Sequence, residues 1–389
     1  MGPLSVLSLY SFVIAMKIIL FTANTSWYLY NFRKSTINAF IKNGFRVVCL
    51  SPEDSYSSKL VSNLNCEWYH LEMDNKGSNP FHDLKLLCGM QRHISRINPD
   101  IIFNFTIKNN IYGTWAATIS GVSVVNNVSG LGTAFINNNV TSKIVKLLYR
   151  LSQPFATKVF CQNPEDFELL VSEKLVDRRK LQLLPGSGVD TRKFSPTTRV
   201  SRNDRDRFKF VFIGRMIGDK GIYELIDATE KLREYRQDFE LELCGFSDSE
   251  NASALSAEQL SQLSRKDYIN WIGSSDSIEQ VYANADCVVL PSYREGMPRT
   301  LLEAGAMGLP SITTDVPGCR NVITHEFNGL LCDVKSASSL FEQMLTMLNM
   351  GEEHYDLLSR NSRQRIIDEF DEKFVIESAL ETVSEIFSK

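Results

Sequence analysis

Short apolar runs alternate with longer amphipathic stretches along most of this chain. The alternation is typical of parallel sheets whose strands are joined by helices. It predicts strands over 17–22, 45–50, 66–71, 100–105, 122–127 and 158–161, and then over 208–213, 239–244, 268–272, 287–290 and 310–314. Helices are predicted between them over 30–43, 82–97, 110–119, 141–151, 164–172 and 222–235. The pattern predicts two doubly wound α/β units.

Chain length and one polar segment divide the sequence. At 389 residues the chain is too long for one ordinary core. The segment 191–207 is polar, charged and proline-bearing, as linkers are. We therefore predict an extension (1–15), a first Rossmann-like domain (16–190), a linker (191–207), a second Rossmann-like domain (208–370) and a final helix (371–389).

The first 15 residues are apolar but lack a basic start. From Leu4 up to the first charge, Lys17, there are only 13 residues (4–16), which is short of the roughly 20 that span a bilayer. Because a good strand begins at Lys17, we interpret 1–15 as an upstream extension, with Met16 as the native start. A membrane-contacting extension is the alternative.

Composition describes a globular protein without a metal site. Hydrophobic residues make up 43% of the chain and charged residues 23%. The eight cysteines form no C-x-x-C pair and several lie in apolar runs, which indicates small core residues in a reducing compartment. The five histidines show no metal-ligand spacing. We predict no metal and no other cofactor.

Charge is distributed unevenly along the chain. Residues 1–190 hold 19 Lys and Arg against 13 Asp and Glu, about +6, which leaves about −10 for the rest of a chain of net charge −4. Lys143, Lys146 and Arg150 recur at helical spacing and predict a basic face suited to a diphosphate acceptor or an anionic lipid surface. An ordinary surface helix is the alternative. Nucleic acid is not expected, because the net charge is negative and no binding motif is present.

Two carboxylates, Glu295 and Glu303, stand where a loop is predicted to become a helix. The helix is expected over 299–307, with Pro298 at its first position. Eight helical residues span about 12 Å, more than the roughly 5 to 9.5 Å between the carboxyl groups of a glycosidase pair. The spacing favours two separate contacts on one elongated, polyhydroxylated anion, which the N–H groups near Thr300 and Leu301 also attract. The alternative is a solvated loop carboxylate and an unrelated one on a helix face.

A second loop, between the predicted strand 208–213 and helix 222–235, carries Arg215 and Lys220. Arg offers a bidentate grip on phosphate and Lys adds a point charge. The alternative is two merely exposed cations. The loop is neither a G-x-G-x-x-G turn nor a Walker A loop, which argues against NAD binding and P-loop chemistry.

These marks together resemble family 4 of the retaining GT-B glycosyltransferases. The resemblance rests on Gly214-Arg215 with Lys220-Gly221, on Leu290-Pro291-Ser292, on the paired Glu295 and Glu303, and on 315–320. The hinge-like segment 184–194 extends it, and 125–135 is similar to bacterial enzymes that extend lipid-linked surface oligosaccharides. The resemblance implies an α/β GT-B fold, with two Rossmann-like domains facing across a cleft. By the same resemblance, the first domain (16–190) would bind the acceptor and the second (208–370) the nucleotide-sugar donor, and the final helix (371–389) would pack back on the first domain.

The resemblance also implies an activity. A retaining enzyme of this kind moves a hexose or N-acetylhexosamine from a nucleotide sugar, here expected to be a UDP-sugar, to a sugar hydroxyl. The acceptor would be a polyprenyl-diphosphate-linked or other glycan of surface polysaccharide, O-antigen or lipopolysaccharide biosynthesis. The enzyme would be cytoplasmic and peripheral at the inner face of the cytoplasmic membrane. A nucleotide-sugar epimerase, a phosphorylase or a catalytically silent sugar-nucleotide-binding subunit is the alternative, although no pyridoxal-phosphate lysine of a phosphorylase is identified.

By the same resemblance, the site residues have separate roles. Glu303 would hold the ribose hydroxyls and Glu295 the donor sugar, with backbone contacts from Gly296 and Met297. Arg215 and Lys220, together with the helix N-terminus, would stabilise charge on the departing diphosphate. The catalytic candidates are therefore Arg215, Lys220 and Glu295, and no metal ion is required. The one Asp-x-Asp, at 204–206, lies in the linker.

The first half departs from the family. The loop expected over 22–28 lacks the glycines that many relatives place there, and no His lies between His93 and His325. The catalytic base is therefore unassigned, and a front-face mechanism, in which a donor phosphate oxygen takes the acceptor proton, needs none. Candidates to line the acceptor site are Asn31, Arg33, Asn127, Ser129, Gly130 and Gly132, and the two glycines are expected to allow close backbone approach.

Overall fold

The protein, in a computed structural model, consists of two parallel sheets, each covered by helices. The structure describes residues 16–74, 79–131, 140–200, 206–248 and 251–388. Both sheets have the strand order of doubly wound α/β folds, which confirms the predicted fold class. The extension 1–15 and Gly132 lie outside the described residues, as does part of the predicted linker.

The first sheet has seven strands in the order β3-β2-β1-β4-β5-β6-β7. Its strands are β1 Ile18–Thr22, β2 Arg46–Ser51, β3 Glu67–His70, β4 Ile101–Phe105, β5 Ser123–Val128, β6 Lys158–Cys161 and β7 Leu181–Leu183. The helices of this half are α1 Ser26–Lys42, α2 Ser57–Leu64, α3 Pro80–Ile97, α4 Thr114–Ile119, α5 Val140–Ser152 and α6 Pro164–Ser172. Because β1 and β4 are neighbours, the strand order reverses between them.

The second sheet has six strands in the order β10-β9-β8-β11-β12-β13. Its strands are β8 Phe208–Ile213, β9 Phe239–Cys244, β10 Ile269–Gly273, β11 Cys287–Leu290, β12 Ser311–Thr314 and β13 Gly329–Cys332. Its helices are α7 Ile222–Tyr235, α8 Ala257–Leu263, α9 Ile278–Ala283, α10 Arg299–Ala306, α11 Cys319–Val322, α12 Ala337–Asn349 and α13 Glu352–Glu369. Here the order reverses between β8 and β11.

The last helix, α14 Glu372–Phe387, returns to the first sheet. Its buried residues Val375, Ala379 and Val383 belong to the apolar cluster that contains Ile19 and Phe40. The crossing chain pairs Val189 with Asp371 in an isolated parallel bridge. Within the described ranges, no helix is both long enough and apolar enough to cross a membrane.

Several predicted boundaries were wrong, for identifiable reasons. α1 begins at Ser26 rather than at Tyr30, because the Thr25 side chain accepts a hydrogen bond from the Tyr28 N–H (3.0 Å) and caps the helix. The single helix predicted over 110–119 starts as a π-helical turn, Asn109–Gly113. Pro298 is the cap before α10 rather than its first residue. β7, β13 and α2 were not predicted, and both of these strands are short sheet-edge strands.

Candidate active site

The two predicted donor-binding loops meet at the point where the second sheet reverses its strand order. One loop leaves the carboxyl end of β8 at Ile213, and the other leaves the carboxyl end of β11 at Leu290. These strands are neighbours in the sheet. Such a switch point opens the crevice in which doubly wound folds bind ligands.

Lys220 and Glu295 form an ion pair at this edge. The Lys220 ammonium contacts Glu295 Oε1, and the Ser292 hydroxyl donates to the same oxygen at 2.7 Å. The side chains are 23% and 13% exposed, so they line the crevice. The predicted phosphate cation and the predicted sugar carboxylate therefore sit side by side. Because an ammonium has three N–H donors, Lys220 can keep Glu295 and still reach a phosphate oxygen.

Gly221 makes the close approach of the two loops possible. Its φ is +71°, and a Cβ there would lie 2.1 Å from the carbonyl oxygen of Pro291. A larger residue would push the β8 loop from the β11 loop and separate Lys220 from Glu295.

Arg215 lies at the outer part of the same edge. Its side chain is 49% exposed, and one guanidinium nitrogen is 3.5 Å from Asp248 Oδ2. This long contact leaves most of the planar fork accessible to an anion. The structure thus places both predicted cations on one face of the crevice, Lys220 deeper and Arg215 nearer the rim.

Glu303 has its own partners, separate from those of Glu295. Arg299 Nε donates to Glu303 Oε1 at 2.7 Å, and the Tyr282 hydroxyl donates to Oε2 at 3.0 Å. Burial raises the pKa of Tyr282 well above its ordinary value, and the Glu303 carboxylate raises it further, so the hydroxyl remains a donor. The carboxylate is held rigidly and nearly buried, with lone pairs left for further hydroxyl donors.

The first turn of α10 is tighter than an open anion site. The Leu301 N–H donates to the carbonyl of Pro298 at 3.0 Å, so it is engaged in this conformation. The Thr300 hydroxyl donates to the carbonyl of Ile213 at 3.2 Å, which ties the helix start to the end of β8. Thr300 therefore positions the helix N-terminus beside the Arg215 loop.

No cysteine near the site provides a ready nucleophile. Burial, with the nearby Glu295 carboxylate, raises the pKa of Cys319 to about 12, so the thiol stays protonated. Among the described residues, no group of three or more His, Cys, Asp or Glu side chains could hold a metal ion.

The first domain touches the Glu295 loop directly. A Cβ on Gly296 would lie 2.0 Å from the Ser129 carbonyl oxygen, and a Cβ on Gly130 would lie 2.8 Å from Gly296 Cα. Asn163 Nδ2 donates to the Gly296 carbonyl at 2.7 Å. Glycine on both sides lets the two backbones meet, which brings the β5 end against the predicted donor-sugar loop.

A buried carboxylate supports this contact. Asp166 is 1% exposed, accepts from the Leu131 N–H at 3.1 Å and pairs with Arg294 across the cleft at 2.5 Å. Arg294 immediately precedes Glu295. The ion pair thus fixes the Glu295 loop to the first domain.

The predicted acceptor-site residues fall into two groups: Ser129 lies at the cleft, whereas Arg33 and Asn127 are buried. Ser129 lies at the cleft, and its hydroxyl is 2.7 Å from that of Tyr28, to which the buried Arg33 donates at 3.0 Å. Arg33 can therefore act only through Tyr28. Asn127 is also buried, where its carbonyl accepts from Asn110 Nδ2 at 3.0 Å. Met297 was predicted on the donor side instead, and its side chain lies against Gly186 of the hinge segment.

Sequence reasoning missed Arg299, which contacts both domains. Besides Glu303, its guanidinium donates to the carbonyl of Asn31 and lies 5.1 Å from the centre of the Phe32 ring. The i,i+4 spacing of Arg299 and Glu303 was the available signal. The segment 22–28, predicted as a loop, carries an aromatic residue, Trp27, and no glycine. The Trp27 side chain is 44% exposed and packs edge-on against Phe32.

Backbone strain was also missed at the opposite edge of the cleft. Thr106, directly after β4, has φ +74°, which is an outlier for a β-branched residue. The π-helical turn Asn109–Gly113 follows it. Both features follow β4, whose pairing with β1 marks the switch point of the first sheet, and such strain is common at functional sites. No sequence signal marked either feature.

Family models match both halves of the chain. A family of glycosyl transferases, described as group 1, matches residues 195–365, and one described as glycosyl transferase 4-like matches residues 17–163. The chain is 27% identical over 302 residues to the UDP-Gal:alpha-D-GlcNAc-diphosphoundecaprenol alpha-1,3-galactosyltransferase of Escherichia coli, covering 74% of this chain and 76% of that protein.

A second relative extends over more of the chain. It is the N,N'-diacetylbacillosaminyl-diphospho-undecaprenol alpha-1,3-N-acetylgalactosaminyltransferase of Campylobacter jejuni, 26% identical over 366 residues, covering 90% of this chain and 94% of that protein. Among solved structures, Anabaena HepE in complex with UDP and glucose superposes with a TM-score of 0.78, at 17% identity, over 95% of this chain and 100% of that one. The last match concerns the fold alone, and with it the predicted GT-B architecture is confirmed.

Proposed function

We propose that this chain, which belongs to the glycosyltransferases that combine a 4-like domain with a group 1 domain, extends a lipid-linked oligosaccharide. The donor is a UDP-sugar that carries a hexose or N-acetylhexosamine, and the acceptor is a sugar hydroxyl on a polyprenyl diphosphate. Transfer retains the anomeric configuration. The names of the two relatives support the substrate class, because both describe transfer to sugars joined to diphosphoundecaprenol.

The observation that carries the proposal is the meeting of three groups at one crevice. The cations Arg215 and Lys220, the carboxylate Glu295 and the first domain's Ser129–Gly130 all lie at the switch point of the second sheet or across from it. A diphosphate leaving group and a hydroxyl acceptor would thus be held on opposite sides of one donor sugar.

The chemistry follows from charge. Departure of the nucleotide diphosphate builds negative charge on its oxygens, which Lys220 and Arg215 stabilise more strongly as the charge grows. Glu295, held by Lys220 and Ser292, accepts from hydroxyls of the donor sugar and fixes its orientation. Glu303, fixed by Arg299 and Tyr282, accepts from the ribose.

The acceptor proton needs a destination. Since no side chain is assigned as its base, the leaving phosphate oxygen takes the proton on the same face of the sugar from which it departs. This route retains configuration without a covalent enzyme intermediate. The contact of Gly296 with Ser129 and Gly130 closes the crevice around the sugar and limits attack by water.

The site of action is the inner face of the cytoplasmic membrane, because the acceptor is anchored there by its lipid. Contact is peripheral and reversible. The positive balance of residues 1–190 supports this location through attraction to anionic lipid.

A donor panel tests the proposal. UDP release is measured for UDP-galactose, UDP-N-acetylgalactosamine, UDP-glucose and UDP-N-acetylglucosamine, with and without a short-chain polyprenyl-diphosphate-N-acetylglucosamine. We expect release that depends on the acceptor, with an α-linked product by NMR. Interconversion of donor sugars without transfer would instead identify an epimerase. UDP binding without either reaction would identify a silent binding subunit. Lys220→Ala serves as the inactive control.

A further inference from the structure

The outward face of α5 carries a stripe of large apolar side chains. Val140 is 73% exposed, Ile144, Leu147 and Leu151 are each 51% exposed, and Phe155 just beyond the helix is 55% exposed. Their spacing of three and four residues places them on one side of the helix. The opposite side is already used, since Tyr149 is fully buried in the core of the first domain. The stripe is therefore not needed for folding.

The three cations of the predicted basic face, Lys143, Lys146 and Arg150, do not form one uniform face in the structure. Lys146 pairs with Glu173 at 2.6 Å, and the Arg150 guanidinium donates to the Glu173 carbonyl at 3.0 Å. The Glu173 carboxylate thus neutralises Lys146, whereas Arg150, which donates to a backbone carbonyl, keeps its charge and is exposed. At 100° per residue, Lys143 and Arg150 stand on one flank of the apolar stripe. The outward face is apolar along its middle and cationic along one edge.

The surrounding sequence has no carboxylates to oppose an anionic surface. Residues 101–164 contain five Lys and Arg and no Asp or Glu. This stretch includes β5, whose end reaches the cleft at Ser129 and Gly130, and α5 is the next helix among the residues that the structure describes. A surface that receives a diphosphate and lies near a membrane needs this charge arrangement.

We propose that the α5 stripe is the face by which the enzyme docks on the lipid bilayer. The proposal rests on the function proposed above and adds the surface that engages the membrane. Five roughly half-exposed side chains offer on the order of 500 Å² of apolar surface, below the about 800 Å² per partner of a stable protein interface. An apolar stripe flanked by cations is the pattern of helices that lie in a membrane interface. A second copy of the chain is the less suitable occupant.

Docking through α5 has a consequence for the acceptor. A helix of 13 residues is about 20 Å long, and its first residue follows the segment that leaves β5. With the stripe in the headgroup region, the lipid-linked diphosphate stays at the membrane surface while its sugar enters the cleft beside Gly130. The membrane contact therefore presents the acceptor as well as holding the enzyme.

The test uses the triple variant Ile144→Ser/Leu147→Ser/Leu151→Ser. Flotation is measured with phosphatidylcholine vesicles, with and without phosphatidylglycerol, in low and high salt. We expect at least about a tenfold loss of vesicle binding, including the part that resists salt, because apolar insertion is not screened. Leu357→Ser is the matched control, since Leu357 is 46% exposed on α13 of the other domain, and it should bind as wild type. Lys143→Glu should weaken only the low-salt binding to phosphatidylglycerol vesicles.

Two further measurements distinguish failure of the docking proposal from failure of the proposed function. UDP binding and turnover of a water-soluble short-chain acceptor should be unchanged in the triple variant, while turnover of a vesicle-embedded acceptor falls. Wild-type vesicle binding by the triple variant would overturn the docking proposal, as would a wild-type dimer that this variant converts to a monomer. If the triple variant melts early, Leu147→Ser alone must lose part of the salt-resistant binding. If the wild-type enzyme does not turn over the soluble acceptor, the proposed function is contradicted. The docking proposal is then tested by the vesicle-binding measurement alone.

Discussion

Replacing Gly296 by alanine should disable catalysis without unfolding the protein. The new Cβ would lie 2.0 Å from the carbonyl oxygen of Ser129 and 2.8 Å from Gly130 Cα. Non-bonded carbon and oxygen atoms need more than 3.0 Å, so the two backbones must separate by at least about 1 Å. Both contacts cross the cleft, and the chain can relieve them by opening it.

The magnitude follows from where the separation occurs. A misplacement of about 1 Å at a reacting centre costs about 10²-fold in rate, or about 2.7 kcal/mol of transition-state stabilisation. The hydrogen bond from Asn163 Nδ2 to the Gly296 carbonyl is also stretched. We expect kcat to fall by about 10²-fold. UDP affinity should fall by less, because Glu303, the proposed nucleotide contact, keeps Tyr282 and Arg299 as hydrogen-bond donors when the cleft opens.

The assay pairs kcat with thermal unfolding and UDP binding. Gly351→Ala is the control, since a Cβ at that position meets nothing within 4 Å and its φ is −63°. A Gly296→Ala enzyme that turns over normally would refute the reasoning. So would a variant whose rate loss is matched by loss of folded protein, because the clash would then act within the fold rather than across the cleft.

Four other predictions test the same site and its surroundings. Arg215→Ala and Lys220→Ala should each lower turnover by about 10²-fold or more, as expected for loss of one charge-stabilising donor; near-normal rates in both folded variants would contradict these roles. Glu303→Gln should weaken binding of UDP alone, measured by calorimetry, more than Glu295→Gln does, and the reverse order would exchange the two assignments. Activity should survive excess EDTA, and loss restored by Mn²⁺ or Mg²⁺ would contradict charge stabilisation by side chains alone. Burial raises the pKa of Glu372, so the folded state binds its proton more tightly and the free energy of unfolding should fall as pH rises above the ordinary Glu pKa; urea unfolding of Glu372→Gln should lack this component, and parallel pH profiles would contradict it.

The meeting of the two loops in the proposed donor half of the site could be predicted because each loop's charged residues are close together in sequence. Arg215 and Lys220 stand on one strand-to-helix loop, and Glu295 and Glu303 bracket one loop-to-helix junction. Runs of apolar residues marked both strands, and parallel strands present their carboxyl ends at one edge. Strand neighbours β8 and β11 then bring the two loops together. Tertiary structure added the pairing of Lys220 with Glu295.

The acceptor half was harder to predict because its features depend on three-dimensional context. Thr106 adopts a left-handed φ that its residue type disfavours, so propensity argues against the observed conformation. The π-helical turn after it is five residues long. Over so short a length, its spacing of apolar residues is the same as that of an α-helix, so the sequence does not distinguish the two. Arg33 was a candidate to line the acceptor site, yet it is 1% exposed and lies over the Phe105 ring, 4.4 Å from its centre. Burial of a cation against aromatic rings cannot be read from composition.

Arg299 connects the proposed donor side of the site, which could be predicted from the sequence, to the acceptor side, which could not. Its spacing from Glu303 is an ordinary helix-face ion pair, worth a few tenths of a kcal/mol when exposed. Here the same guanidinium also donates to the Asn31 carbonyl and faces the Phe32 ring across the cleft. The carboxylate that resemblance assigns to the ribose is thus fixed by a residue whose other contacts exist only while the domains are together. The proposed nucleotide contact and the closure of the first domain therefore depend on one side chain, Arg299. Opening the cleft removes the Asn31 and Phe32 contacts and leaves Glu303 dependent on Tyr282 and an untethered Arg299.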